Sequence, residues 1–237
     1  MLSFTNATNS IYISQEWNYS FSIPDDWQEI PKDTIDVNVQ AMAETNNTKF
    51  TNYKAGFQKK NKVTFEYPYV LVLEQQVKTP SYEDIMNAFG GAIKNIDQYA
   101  DEYSETVNGT NIGRPAINKE KNIIVMNVEA NVANIGKVKQ LIVIFIWKNN
   151  LTYLYFSSTQ SKYTKDLPSF YEIINSFKYN DGYEYDETYA KENYQVWFFE
   201  NLLNNALEGM IWILPLALVW WLFVFFRKRK INKKIVK

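Results

Sequence analysis

Seventeen consecutive uncharged residues, Met210 to Phe226 (MIWILPLALVWWLFVFF), constrain this 237-residue chain more than any other feature. As a helix rising about 1.5 Å per residue, the run covers roughly 25 Å, slightly less than a hydrocarbon core of about 30 Å. Leu207 and Gly209 can lengthen it if Glu208 stays at the interface. Trp212 lies near one end, Trp220, Trp221 and Phe226 toward the other, and Pro215 is tolerable near the start of a membrane helix. Behind the run come Arg227, Lys228, Arg229, Lys230, Lys233, Lys234 and Lys237, with no acid among them. Their stems can snorkel, and each charge near an anionic lipid surface is worth about 1 kcal/mol. A buried helix in a soluble protein would need protein on all its faces, and it would leave the basic tail unexplained. The sequence therefore predicts a single-pass protein whose partner is a lipid bilayer, with a transmembrane helix over 210–226 and a basic cytoplasmic tail over 227–237.

The net charge of −1 conceals an asymmetry. With those seven set aside from the 25 basic residues, 18 remain against 26 acids, a net of −8. Such a domain is unsuited to nucleic acid, which rewards basic patches. The chain has no Cys and no His, which excludes thiol nucleophiles, disulfides, Ser-His-Asp triads and the usual zinc sites. No catalytic, cofactor-binding or metal-ligating residue is expected. Absent Cys fits both the cytoplasm and a bacterial envelope. A hydrophobic fraction of 46%, of which much is aromatic, argues against disorder.

Ahead of the anchor the patterning predicts mixed α and β. Tyr19 to Ile23 alternates and runs into a turn at Pro24-Asp25-Asp26. Asp33 to Thr45 can be written as a helical stripe (Ile35, Val39, Met42) or as a strand; helix is preferred. Tyr53 to Gln58 and Tyr67 to Val77 read as strands. Ser81 then caps a long helix in which Tyr82, Ile85, Phe89, Ile93, Ile96 and Ala100 make one stripe, interrupted at Gly90-Gly91. Close packing or a local kink accounts for that pair, because a phosphate loop needs more glycines and a strand just before the helix. A three-stranded meander follows: Ile124 to Val132, Val138 to Trp147 and Leu151 to Ser158. A final helix is expected after Asp166, with Pro168 in its first turn and Leu167, Phe170, Tyr171, Ile174 and Phe177 on one face. The domains are then 1–180, soluble; 181–209, an acidic linker and an amphipathic juxtamembrane helix; and the anchor and tail.

With YSFSIPDDWQEIP (Tyr19–Pro31) near the start and FYEIINSFKY (Phe170–Tyr179) at the end, this element order resembles the PsbP-like α/β/α sandwich superfamily. The resemblance spans about residues 10 to 180. It implies an α+β fold, an antiparallel β-sheet flanked by helices (α/β/α sandwich), here with one C-terminal transmembrane helix added. It brings over no catalytic residue, and the metal sites of some members use His, which this chain lacks. Several of the group are bacterial envelope proteins.

Other constellations have plain explanations. Asp181, Glu184, Asp186 and Glu187 offer oxygen ligands for calcium, but not at EF-hand spacing, and a solvated linker accounts for them. Asp25-Asp26 suits a turn. Glu74 and Glu129 lie in expected strands and could make an acid–base pair if they faced one pocket. Asn6, Asn18, Asn46, Asn108 and Asn150 begin Asn-x-Ser/Thr triplets, which matter only in a eukaryotic secretory protein.

These observations predict a membrane-anchored, non-enzymatic binding or assembly module exposed at the cell envelope. The alternatives are a membrane-tethered hydrolase using carboxylates and a subunit of a membrane protein complex, with an unidentified protein partner. Acidic residues before the span and basic ones after it place the domain outside the cytoplasm and the C-terminus inside. The first twenty residues show no signal peptide. An extracytoplasmic domain then requires an upstream signal; otherwise the chain is tail-anchored with a cytoplasmic domain.

Overall fold

The computed structural model describes residues 10–46, 50–61, 63–76, 83, 87, 107–132, 135–147 and 150–185. Among the described residues the main sheet is antiparallel and eight-stranded. It contains β3 (Trp27–Glu29), β4 (Ala55–Lys59), β5 (Tyr69–Gln76), β6 (Val107–Ile112), β7 (Ala116–Asn118), β8 (Ile123–Val132), β9 (Gly136–Trp147) and β10 (Asn150–Thr159). Its order is β3-β4-β5-β10-β9-β8-β6, with β7 also paired to β8. A three-stranded sheet, β1-β2-β11, is built from Ser10–Ser14, Tyr19–Ile23 and Lys178–Tyr179. Two helices lie wholly among the described residues, α1 (Lys32–Asn46) and α2 (Tyr163–Ser176).

The meander supplies the centre because its apolar residues are too dense to leave either face in water. β9 is buried on both faces from Leu141 to Trp147 and lies between β8 and β10 over uninterrupted registers. Even-numbered Ile142, Ile144 and Ile146 pack with Tyr53, Tyr153, Tyr155 and with Ile35 and Val39 of α1. Odd-numbered Leu141, Val143 and Phe145 pack with Phe21 of β2 and with Phe170, Ile173 and Ile174 of α2. The two cores, one per sheet face, follow from the two-residue period of a strand. Gly56 marks where α1 meets β4: a Cβ there would lie 2.8 Å from Leu71 Cδ2 and 2.9 Å from Ile35 Cδ1.

The α+β class and the antiparallel sheet agree with the sequence, and α1 and α2 cover opposite faces. On the α2 side the small sheet shares the covering layer, an addition that the patterning did not indicate. The strands expected at Tyr53–Gln58 and Tyr67–Val77 run instead over Ala55–Lys59 and Tyr69–Gln76. The last helix needs a larger correction. It begins at Tyr163, and Asp166 does not precede it but is buried inside it, accepting a 2.6 Å hydrogen bond from Ser158 Oγ. Pro168 therefore lies beyond the first turn, and Tyr171 faces solvent while Ile173 takes its expected place in the core. Of the long helix expected from Ser81 to Ala100, Glu83 and Asn87 are described and helical; the rest, Gly90-Gly91 included, lies outside the described residues. So do Met210–Phe226 and the basic tail. Among the described residues no helix is long and apolar enough to cross a membrane.

Candidate functional site

Among the described carboxylates Glu74 has the most elaborate setting. It stands on β5 opposite Thr152 of β10, on the sheet face that the small sheet covers. Its Oε1 accepts hydrogen bonds from Tyr19 Oη at 2.6 Å and from Ser14 Oγ at 3.0 Å. Ser14 ends β1 and Tyr19 begins β2, and the two are register partners across the hairpin. One turn thus delivers both donors to a single oxygen. Burial pushes the Glu74 carboxyl above the ordinary range, and the two hydrogen bonds and the Lys54 charge offset this only in part. The neighbouring phenols respond accordingly: burial, then the Glu74 charge, raises Tyr12 to about 12 and Tyr19 well above its usual value.

Aromatic side chains extend this end of the sheet. Trp17, in the hairpin turn, meets Trp147 edge-on with ring centroids 6.0 Å apart, and Trp147 stacks on Tyr179 at 5.3 Å. Tyr183, an exposed residue, lies 5.9 Å from Trp147. Lys54 Nζ is 6.0 Å from the Trp17 ring centroid and 3.5 Å from Glu16 Oε2. The indole nitrogens of Trp17 and Trp147 and Oδ1 of Asn150 are buried without a hydrogen-bond partner among the described residues. The arrangement can hold the small sheet to the large one and can change its grip with the protonation of one carboxyl.

It does not form an acid–base pair with Glu129. Stepping across β5, β10, β9 and β8, the partner of Glu74 in register is Ile123, six residues from Glu129. Three strand spacings and six residues of rise put the two carboxylates about 24 Å apart. Glu129 is instead ion-paired with Lys139 at 2.6 Å, a contact that lowers its pKa. The pairing considered from sequence is therefore wrong. Both residues do lie on one sheet face, but at opposite ends of it.

No protein-family model matches the chain, and no curated protein matches it. Solved structures do. The solution structure of cyanobacterial PsbP (CyanoP) from Synechocystis sp. PCC 6803 matches at 12% identity and a TM-score of 0.46, over 73% of this chain and 94% of that one. LpqN, involved in cell envelope biogenesis of Mycobacterium tuberculosis, matches at 10% and 0.40, over 73% and 86%. A Bacteroides thetaiotaomicron VPI-5482 protein matches at 12% and 0.42, over 73% and 49%.

The remaining sequence candidates are dispersed. Asp25 and Asp26 do sit in a turn, closed by Trp27 N donating to Pro24 O at 2.9 Å, and Asp26 pairs with Lys59 at 3.0 Å. Asp181 and Glu184 are exposed, and Glu184 Oε2 accepts from the Gly182 backbone N–H at 2.9 Å. Asp186 and Glu187 lie outside the described residues, among which no group of acidic ligands is close enough to hold a metal. Sequence reasoning missed Ser14, Trp17, Tyr19 and Lys54 as one cluster. The available signal was the alternation in Ser10–Ser14, which makes Gln15–Asn18 a hairpin turn and sets Ser14 beside Tyr19.

Proposed function

We propose that this protein is a non-enzymatic binding or assembly module, displayed at the cell envelope by a single C-terminal membrane helix over Met210–Phe226. The observation that carries this reading is the 17-residue uncharged run followed by seven basic residues, with Asp186, Glu187, Glu192, Glu200 and Glu208 before it. That charge order puts the tail in the cytoplasm and the domain outside. The fate of the carboxylates supports the non-enzymatic part. Glu74 spends its hydrogen bonds on holding the small sheet, and Glu129 is ion-paired at the other end of the face. Glycoside hydrolysis by two acids needs them roughly 5 to 10 Å apart.

Protease treatment of spheroplasts tests the topology, with one epitope near Thr5 and another after Lys237. The expected result is loss of the N-terminal epitope and survival of the C-terminal one until the membrane is permeabilised. Survival of the N-terminal epitope with clipping of the other would invert the topology. Release of the intact chain by alkaline carbonate would remove the anchor altogether.

A further inference from the structure

We propose that β1 is a self-association edge: two copies of this chain pair antiparallel through Ser10–Ser14, about a two-fold axis at Tyr12. β1 ends the order β1-β2-β11, and among the described residues its only strand partner is β2. A free edge of this kind is a template for another strand unless it is protected. The protections that a strand can carry in its own sequence are absent here. Ser10-Ile11-Tyr12-Ile13-Ser14 contains no charge, proline or glycine, and its five-residue register with β2 has no bulge. Ile11 and Ile13 are 63% and 61% exposed and lie on one face of the strand, while Tyr12 packs inward on Phe21 and Phe57.

The occupant follows from the sequence of the strand, which reads the same in both directions. Antiparallel self-pairing centred on Tyr12 sets Ile11 against Ile13 of the second copy and Ser10 against Ser14, so every cross-strand pair is of like with like. β-branched pairs of this type stabilise a sheet. A two-fold contact is self-complementary and closes at two copies, which prevents growth of a fibre. The product is a six-stranded sheet ordered β11-β2-β1-β1-β2-β11. Five residues per copy bury far less than the roughly 1,600 Å² of a standard stable interface, so the dimer is weak in dilute solution.

The chain has no cysteine, so an introduced one is its sole thiol. Full-length Ile11→Cys and Ile13→Cys chains carrying tags of different size are mixed in mild detergent and oxidised. The proposed register brings the two substituted Cβ atoms opposite each other at about 5 Å, whereas identical positions sit on a diagonal at about 7–8 Å. The expected result is a mixed-tag dimer at least about fivefold above either variant alone and above Val37→Cys, a comparably exposed site on α1. Far-UV circular dichroism matching the parent confirms that each variant is folded before it is compared. A mixture no better than Val37→Cys overturns self-association. Single variants that cross-link as well as the mixture overturn the antiparallel register.

Discussion

The centre of the main sheet and the small sheet are built on opposite principles. Around β9 nearly everything is apolar. Ile142, Val143, Ile144 and Ile146 are completely buried, and position along the strand is fixed by which face each side chain must hide. At β1-β2-β11 the strands are short, one face is open at Ile11 and Ile13, and attachment to the main sheet combines aromatic packing with two hydrogen bonds to Glu74. The first region is stabilised mainly by area removed from water. The second depends on a few directional contacts around an ionisable group. A protein constructed in this way has a rigid half and an adjustable half, and the adjustable half carries the free edge.

The largest expected effect tests the rigid half. Ile142→Asp buries a charge between β8 and β10, where no partner is available, and should cost several kcal/mol. Asn127→Asp, on the exposed face of β8, should change stability by no more than about 0.5 kcal/mol, because its Oδ1 can still accept from Tyr163 Oη. Urea midpoints for the two variants measure the gap directly. Equal midpoints would mean that the facing of the meander is wrong.

This contrast also explains what was legible in the sequence. Ile124 to Val132 alternates over nine residues, and Val138 to Trp147 is apolar throughout, so both strands announce themselves and their order. Strands such as Trp27–Glu29, Ala116–Asn118 and Lys178–Tyr179 are two or three residues long, and no period can be read in them. Asp166 looked like a residue before a helix because an acid ahead of an apolar run usually caps it. Only the tertiary neighbour Ser158 reveals that it is buried. The Glu74 site was half visible. Glu74 stood out as an acid in a strand, but its partners are 55 and 60 residues away, beyond any local pattern.

Tyr19→Phe should have an intermediate effect and tests the adjustable half. The ring stays stacked between Phe177, with centroids 5.0 Å apart, and Phe21, at 6.2 Å. Only the hydroxyl that donates to Glu74 is lost. A hydrogen bond to a partly buried carboxyl is worth about 1–2 kcal/mol, with Ser14 Oγ left as the remaining side-chain donor. A urea midpoint at neutral pH reads the loss. A cost as large as that of Ile142→Asp would make the small sheet as essential to the fold as the meander, and the division between the halves would collapse.

Glu74→Gln should have the smallest effect, and it decides which form of the carboxyl the small sheet favours. Burial holds the folded pKa of Glu74 above its ordinary value. A folded carboxyl that keeps its proton longer than the unfolded one contributes stability at low pH, and that contribution is lost as the pH rises through the folded pKa. Glutamine cannot ionise, yet its Oε1 can still accept from Tyr19 and Ser14. The variant should therefore match the parent near pH 4, just below the unfolded glutamate value of about 4.3, and gain on it as the pH rises. The gain should level off once the pH is well above the folded pKa, and both hydrogen bonds survive the change. Urea unfolding at stepped pH from 4 to 8 measures it. If the parent gains on the variant with rising pH instead, the ionised carboxylate is the form that the two donors hold, and hydrogen bonding outweighs burial at this end of the sheet.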